Sequence, residues 1–256
     1  MQSFVVARLV RVSCATASSA RDAAASAFPI QNQRSTSPRG GTRGEEAMVA
    51  TDSAAIETSA PEVAAVPTVD PSILGLPSFV VGAVALSLAT VGYVPPAAVG
   101  AALPIILGAT GLGLLITTVW CANLGQSFVA CVFGVFTGFW FSYAALVLGL
   151  QHNWFQIPAA DVTRSVALFL ISWAVVMFFL TVGSARLPVI YTILIGLVFV
   201  ALVLLIFGTL NANTTLNKSA GYAVFGASAL GCYLFLSSCS VALGGAPFQL
   251  GRALRG

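Results

Sequence analysis

"VDPSILGLPSFVVG", Val69 to Gly82, marks the point where a polar tail becomes an apolar chain that rarely meets another charge. An Asp-Pro pair opens the stretch. Aspartate can accept hydrogen bonds from the first unpaired amides of a helix. Proline suits the first helical position, where a missing N–H leaves nothing unpaired. Asp70 and Pro71 therefore predict a helix start. Pro77 follows in the second turn and cannot donate to the carbonyl of Ile73, so the ladder is expected to open there. Two readings of Pro77 stand side by side. It bends the helix beside a polar cavity, where irregular backbone is tolerated at membrane depth, or it occupies the tolerant first turns of an ordinary span.

Composition sets the class. Of 256 residues, 58% are hydrophobic and 7% charged, against about 25% charged in soluble domains. From Pro71 onward the only acid is Asp161, and the bases are Arg164, Arg186, Lys218, Arg252 and Arg255. Too few charges remain to coat a water-facing surface, so residues 70–256 read as an integral membrane domain. The formal charge of +3 arises before Met48, and no basic patch is left to bind nucleic acid. The cysteines at 14, 121, 131, 232 and 239 form no CxxC. Those in apolar runs read as small hydrophobes, with no disulfide, metal or other cofactor expected.

The first 47 residues are rich in Arg, Ser and Ala. They read either as an organellar-type targeting peptide or as translated upstream sequence, since "GEEA" before Met48 can encode a purine-rich ribosome-binding stretch of a bacterial gene. Residues 48–69 are acidic and Ala/Pro-rich, the composition of a disordered cytoplasmic N-terminus.

A hydrocarbon core needs about 20 apolar helical residues to cross it. Six segments qualify: Leu74–Val94, Ala97–Ala122, Phe128–Leu150, Val166–Val182, Leu187–Phe207 and Gly221–Leu243. The predicted fold is an all-α, six-helix membrane bundle with both termini on one side. Arg186, Arg252 and Arg255 then share that side, and the positive-inside rule makes it the cytoplasmic one. Gly134 and Gly138, and the ladder Ala223, Ala227 and Gly231, provide the small-residue spacing by which membrane helices approach closely.

The chemistry of membrane enzymes is missing from the spans. The single histidine, His152, falls in a loop, and no GxSxG motif occurs. No carboxylate lies inside a span, where proton relays place theirs. What remains is a narrow path for small solutes, lined by aromatics, small residues and hydroxyls, with Gln126, Ser127 and Thr137 as the candidate polar groups.

The opening motif resembles the acetate uptake transporter family, which includes bacterial succinate–acetate permeases. That family carries Asn-Pro-Ala-Pro-Leu-Gly-Leu and then a phenylalanine at the mouth of its first helix. "DPSILGLPSF" keeps Pro71, Leu74, Gly75, Leu76 and Phe79 in place. "VGYVP" ends the first span as in the family, and "GQSFVACVFGVFTGFW" (Gly125–Trp140) is similar to its Gly-Asn-Thr-Phe segment and the aromatic stretch after it. The resemblance spans residues 70–252. It implies a homo-hexamer in a bacterial inner membrane, a pore in each protomer, and acetate-like or succinate-like carboxylates as substrates. It also implies a hydrophobic constriction, which carries over to Phe79, Phe136 and Val198. Departures accompany it. Asp70 replaces the motif's asparagine, Ile73 its second proline, and Phe136 a tyrosine. An acid at the mouth disfavours carboxylates, so the same fold moving a neutral or cationic solute is an alternative, as is a non-transporting scaffold or sensor.

Overall fold

The computed structural model describes residues 70–255. The readings of residues 1–47 and 48–69 lie outside the described residues. Among the described residues, six helical stretches are long and apolar enough to cross a membrane: Ser72–Val91, Pro96–Asn123, Ser127–Gln151, Ala159–Arg186, Val189–Leu210 and Thr214–Ala242. The long α-helices within them are α1 (Ser72–Val91), α2 (Leu112–Asn123), α3 (Ser127–Gln151), α4 (Val162–Gly183), α5 (Val189–Leu210) and α6 (Thr214–Ala242). At 1.5 Å per residue, α1 is about 30 Å long, the thickness of a hydrocarbon core.

Three boundaries have a local cause. Pro71 is already in helical conformation, and the Asp70 Oδ1 accepts from the Ser72 amide at 3.0 Å. Gly92, at φ 89°, ends α1 in the left-handed conformation that only glycine adopts freely, and Tyr93 donates back to the Leu88 carbonyl. Asn213 caps α6 by accepting from the amides of Thr215 and Leu216 at 3.0 and 3.2 Å. That cap starts α6 seven residues before the expected Gly221. Lys218 therefore lies on a helix rather than in a loop.

Of its two readings, Pro77 takes the second, a place in the tolerant first turns of an ordinary span. α1 is helical straight through Pro77, whereas the second span is built from three helix types in succession. A 3₁₀ segment, Pro96–Ala102, leads to a π segment, Ile105–Gly111, and then to α2. Pro104 removes a donor at the junction, and Gly108, Gly111 and Gly113 add little helical preference of their own. The π turn absorbs the mismatch.

Packing runs in a row, with α1 on α6, α6 on α5 and α5 on α4, while α2 lies on α3 and the π segment is wedged between α1 and α3. Small residues set the close approaches. A Cβ added at Gly75 would meet the Phe133 ring and the Thr117 methyl, one at Gly82 would meet Thr110, and one at Gly231 would meet Val80. The serine and threonine hydroxyls inside the spans mostly donate to the carbonyl four residues back, as Ser78 does to Leu74 and Thr117 to Gly113, both at 2.8 Å. This hides polar groups that hydrocarbon cannot satisfy.

The start of α1 and the end of α6 lie at one face, where the hydroxyls of Ser72 and Ser238 are 3.1 Å apart. The chain after α6 folds back over that face. Ile190 donates to the Leu250 carbonyl, Val189 donates to that of Arg252, and the amides of Leu254 and Arg255 both donate to the Ala185 carbonyl.

Candidate functional site

A cavity of about 430 Å³ opens among the start of α1, the start of α3 and the start of α5. Each helix contributes for a reason visible in its sequence. On α1, Leu76 and Phe79 follow the Asp-Pro start by one and two turns and face inward. On α3, Val129, Val132, Phe133 and Phe136 recur at helical spacing along one stripe of the cavity wall. On α5, Tyr191, Leu194 and Ile195 do the same after Pro188 sets the helix start. Leu250, from the folded-back tail, closes one side of the mouth.

The cavity is polar at its mouth and apolar within. Asp70, Ser72, Gln126 and Tyr191 supply the polar groups. Asp70 is exposed, and its carboxylate is occupied by the Ser72 amide and the Ser72 hydroxyl. No other charged residue lines this cavity among the described residues. Deeper in, Phe79 and Phe136 meet edge to face, their ring centroids 5.0 Å apart and their planes at 65°. Both rings are buried. This is the preferred geometry of an aromatic pair, and it leaves no space between the rings. α1 and α3 thus touch through these side chains as well as where Gly75 meets Phe133.

The residues singled out from sequence distribute as follows. Phe79, Phe136, Asp70, Leu76 and Gln126 share the cavity wall. Val198 is buried one turn beyond Ile195 and is not on that wall. Pro71, Leu74 and Gly75 are not on that wall, and Gly75 lies against Phe133. Ser127 is exposed at the start of α3. Thr137 is buried, and its hydroxyl donates to the Phe133 carbonyl at 2.8 Å. Sequence reasoning missed Tyr191 and Leu250. Tyr191 left one signal, the single phenol of its span. Leu250 left none, because its place depends on the tail folding back.

Among the described residues, no group of three or more His, Cys, Asp or Glu side chains gathers to hold a metal. Cysteines 121, 131, 232 and 239 are free thiols. His152 stacks on Trp154 beyond the end of α3, far along that helix from the cavity.

A bundle of six apolar helices, enclosing a cavity that narrows onto a pair of aromatic rings, defines a multi-pass membrane protein of channel-like build. Its fold matches that of the bacterial acetate channel SatP, with a TM-score of 0.64 at 21% identity, covering 71% of this chain and 98% of the solved one. The sequence model of the GPR1/FUN34/yaaH family matches residues 55–242, and the chain belongs to that family. Two curated relatives are acetate transporter proteins named patA. The one from Aspergillus clavatus is 26% identical over 133 residues, 51% of this chain and 53% of the relative. The one from Penicillium expansum is 26% identical over 129 residues, 49% of this chain and 51% of the relative. The chain spans about half the length of the curated relatives it matches.

Proposed function

We propose that this chain is a membrane channel or transporter for acetate and similar short-chain monocarboxylates, acting in a bacterial inner membrane as a homo-hexamer, with both termini cytoplasmic. The observation that carries the reading is the edge-to-face contact of Phe79 and Phe136 at the inner end of the cavity. Apolar constrictions gate by dewetting, because water and ions gain nothing from their walls. A permeant with a methyl group and a compact polar head can push the rings aside where a larger or multiply charged solute cannot. Val198 is the third constriction residue in this reading, one turn deeper on α5. Gln126 and Ser127 handle the polar head at the mouth, and Thr137 stands one residue beyond the gate. Pro71, Leu74, Gly75 and Leu76 position Phe79. The names of the patA relatives and of SatP support acetate as the permeant. The protein performs no catalysis in this reading.

A second reading rests on Asp70, the sole charged side chain on the cavity wall among the described residues. A negative charge there favours a neutral or cationic solute. Isotope-labelled acetate offered to proteoliposomes containing the chain separates the two. Saturable acetate uptake supports the first reading. Uptake of a labelled amide or amine without acetate supports the second, and uptake of none contradicts both.

A further inference from the structure

Two arginines remain unused by the cavity just described. Arg186 ends the turn between α4 and α5, and Arg255 is brought beside it by the folded-back tail. Together they line a second, more open cleft of about 780 Å³. The juxtaposition is built rather than incidental. The amides of Leu254 and Arg255 both donate to the Ala185 carbonyl, at 3.1 and 3.0 Å, and Pro188 pairs with Ala253 as an isolated antiparallel bridge. Two like charges thus share one cleft, whose lining holds no acid among the described residues. Asp161 lies at the opposite end of α4, about 30 Å away at 1.5 Å per residue. The cleft adjoins the permeation cavity, because Phe128 and Leu187 line both.

We infer that Arg186 and Arg255 form an anion-collecting antechamber that gathers carboxylate permeants and passes them across Phe128 and Leu187 into the cavity. This deepens the transport reading above and rests on it. Both side chains are exposed, so they act through their field on approaching anions rather than by a dehydrated clasp. Such fields raise the local concentration of an oppositely charged solute and weaken as salt screens them. The antechamber also accounts for how a mouth carrying Asp70 still admits anions, since two positive charges at the neighbouring cleft outweigh one negative charge.

The test compares the full chain with R186Q/R255Q in proteoliposomes of neutral lipid, using labelled acetate. The KM of the double variant should rise about 10-fold at low ionic strength, the lower end of what steering fields supply, with the saturating rate unchanged. The difference should vanish near 1 M salt, where the screening length is about 3 Å. R186K/R255K should restore the original KM, which a purely structural role for the guanidinium groups would not allow. Equal KM values for the full chain and R186Q/R255Q at low salt overturn the inference and leave the transport reading intact. An effect confined to vesicles containing anionic lipid overturns it too, making the cleft a headgroup site. Failure of the unaltered chain to move acetate overturns the transport reading, and the antechamber falls with it.

Discussion

Replacing Gly75 with alanine tests how the opening motif shapes the cavity wall. The added Cβ would stand 2.5 Å from Phe133 Cε1, 2.6 Å from its Cζ and 2.7 Å from the Thr117 methyl. Relaxed carbon contacts sit at about 3.5–4.0 Å, so both neighbours must retreat by about 1 Å together. Thr117 has no room to retreat, and Phe133 can retreat only into the cavity it lines. Thr117 is fully buried with its hydroxyl bonded to the Gly113 carbonyl at 2.8 Å, and the Phe133 ring is buried against the same wall. Overpacking of this kind costs about 1–3 kcal/mol. Alanine returns about 1 kcal/mol through its better helix preference, for a net loss of up to about 2 kcal/mol. Because Phe133 lines the cavity, the displaced ring should also narrow it and slow uptake. Thermal unfolding in detergent, paired with initial uptake rates, reads both effects. Gly108→Ala is the comparator, since a Cβ there meets nothing within 4 Å, and it should unfold no earlier than the original chain. A Gly75→Ala protein stabilised as much as the Gly108→Ala comparator would refute the claim that this glycine is required for close packing.

Two further substitutions probe the mouth and the interior. Asp70→Asn keeps an acceptor for the Ser72 amide while removing the charge, so acetate uptake at neutral pH should rise; identical rates for both forms would show that Asp70 is remote from the path. Thr110→Val removes a buried hydroxyl that has no hydrogen-bond partner and preserves the shape packed against Gly82. Stability should hold or improve, because replacing an unsatisfied polar group with an apolar one of equal shape removes a desolvation penalty, and a loss exceeding about 1 kcal/mol in unfolding free energy, the size of a typical net hydrogen bond, would mean that the hydroxyl has a partner.

Hydropathy made the six spans legible because each needs only a run of apolar residues of sufficient length, whatever its neighbours do. The helix ends were less legible. α6 begins at Thr214 because Asn213 caps it, yet the stretch before Gly221 is polar and reads as loop when only apolar runs are followed. Pro77 drew attention as a helix breaker, but it sits early enough in α1 for the helix to continue. The irregular backbone fell in the second span, where Pro104 and three glycines act together. For the site, Phe79 and Phe136 were picked out by resemblance, since no periodicity links residues on two different helices. Tyr191 and Leu250 escaped because their places follow from the corner between α4 and α5 and from backbone bonds to the returning tail. Such bonds leave no mark in side-chain pattern.

The central claim is that the Phe79–Phe136 contact selects permeants by size, and Phe136→Ala addresses it most directly. Truncating a buried phenylalanine costs about 3–5 kcal/mol of stability, so uptake should be measured well below the unfolding transition, with Phe136→Tyr as the ring-preserving control. Initial rates for acetate, propionate, butyrate and succinate give the ranking by size. The original chain should favour acetate steeply. Phe136→Tyr should keep or sharpen that preference by adding a hydroxyl beside the carboxylate. Phe136→Ala should raise the rates of the larger acids relative to acetate and flatten the ranking. A Phe136→Ala protein that is less stable but ranks the four acids as the original does would contradict the gate.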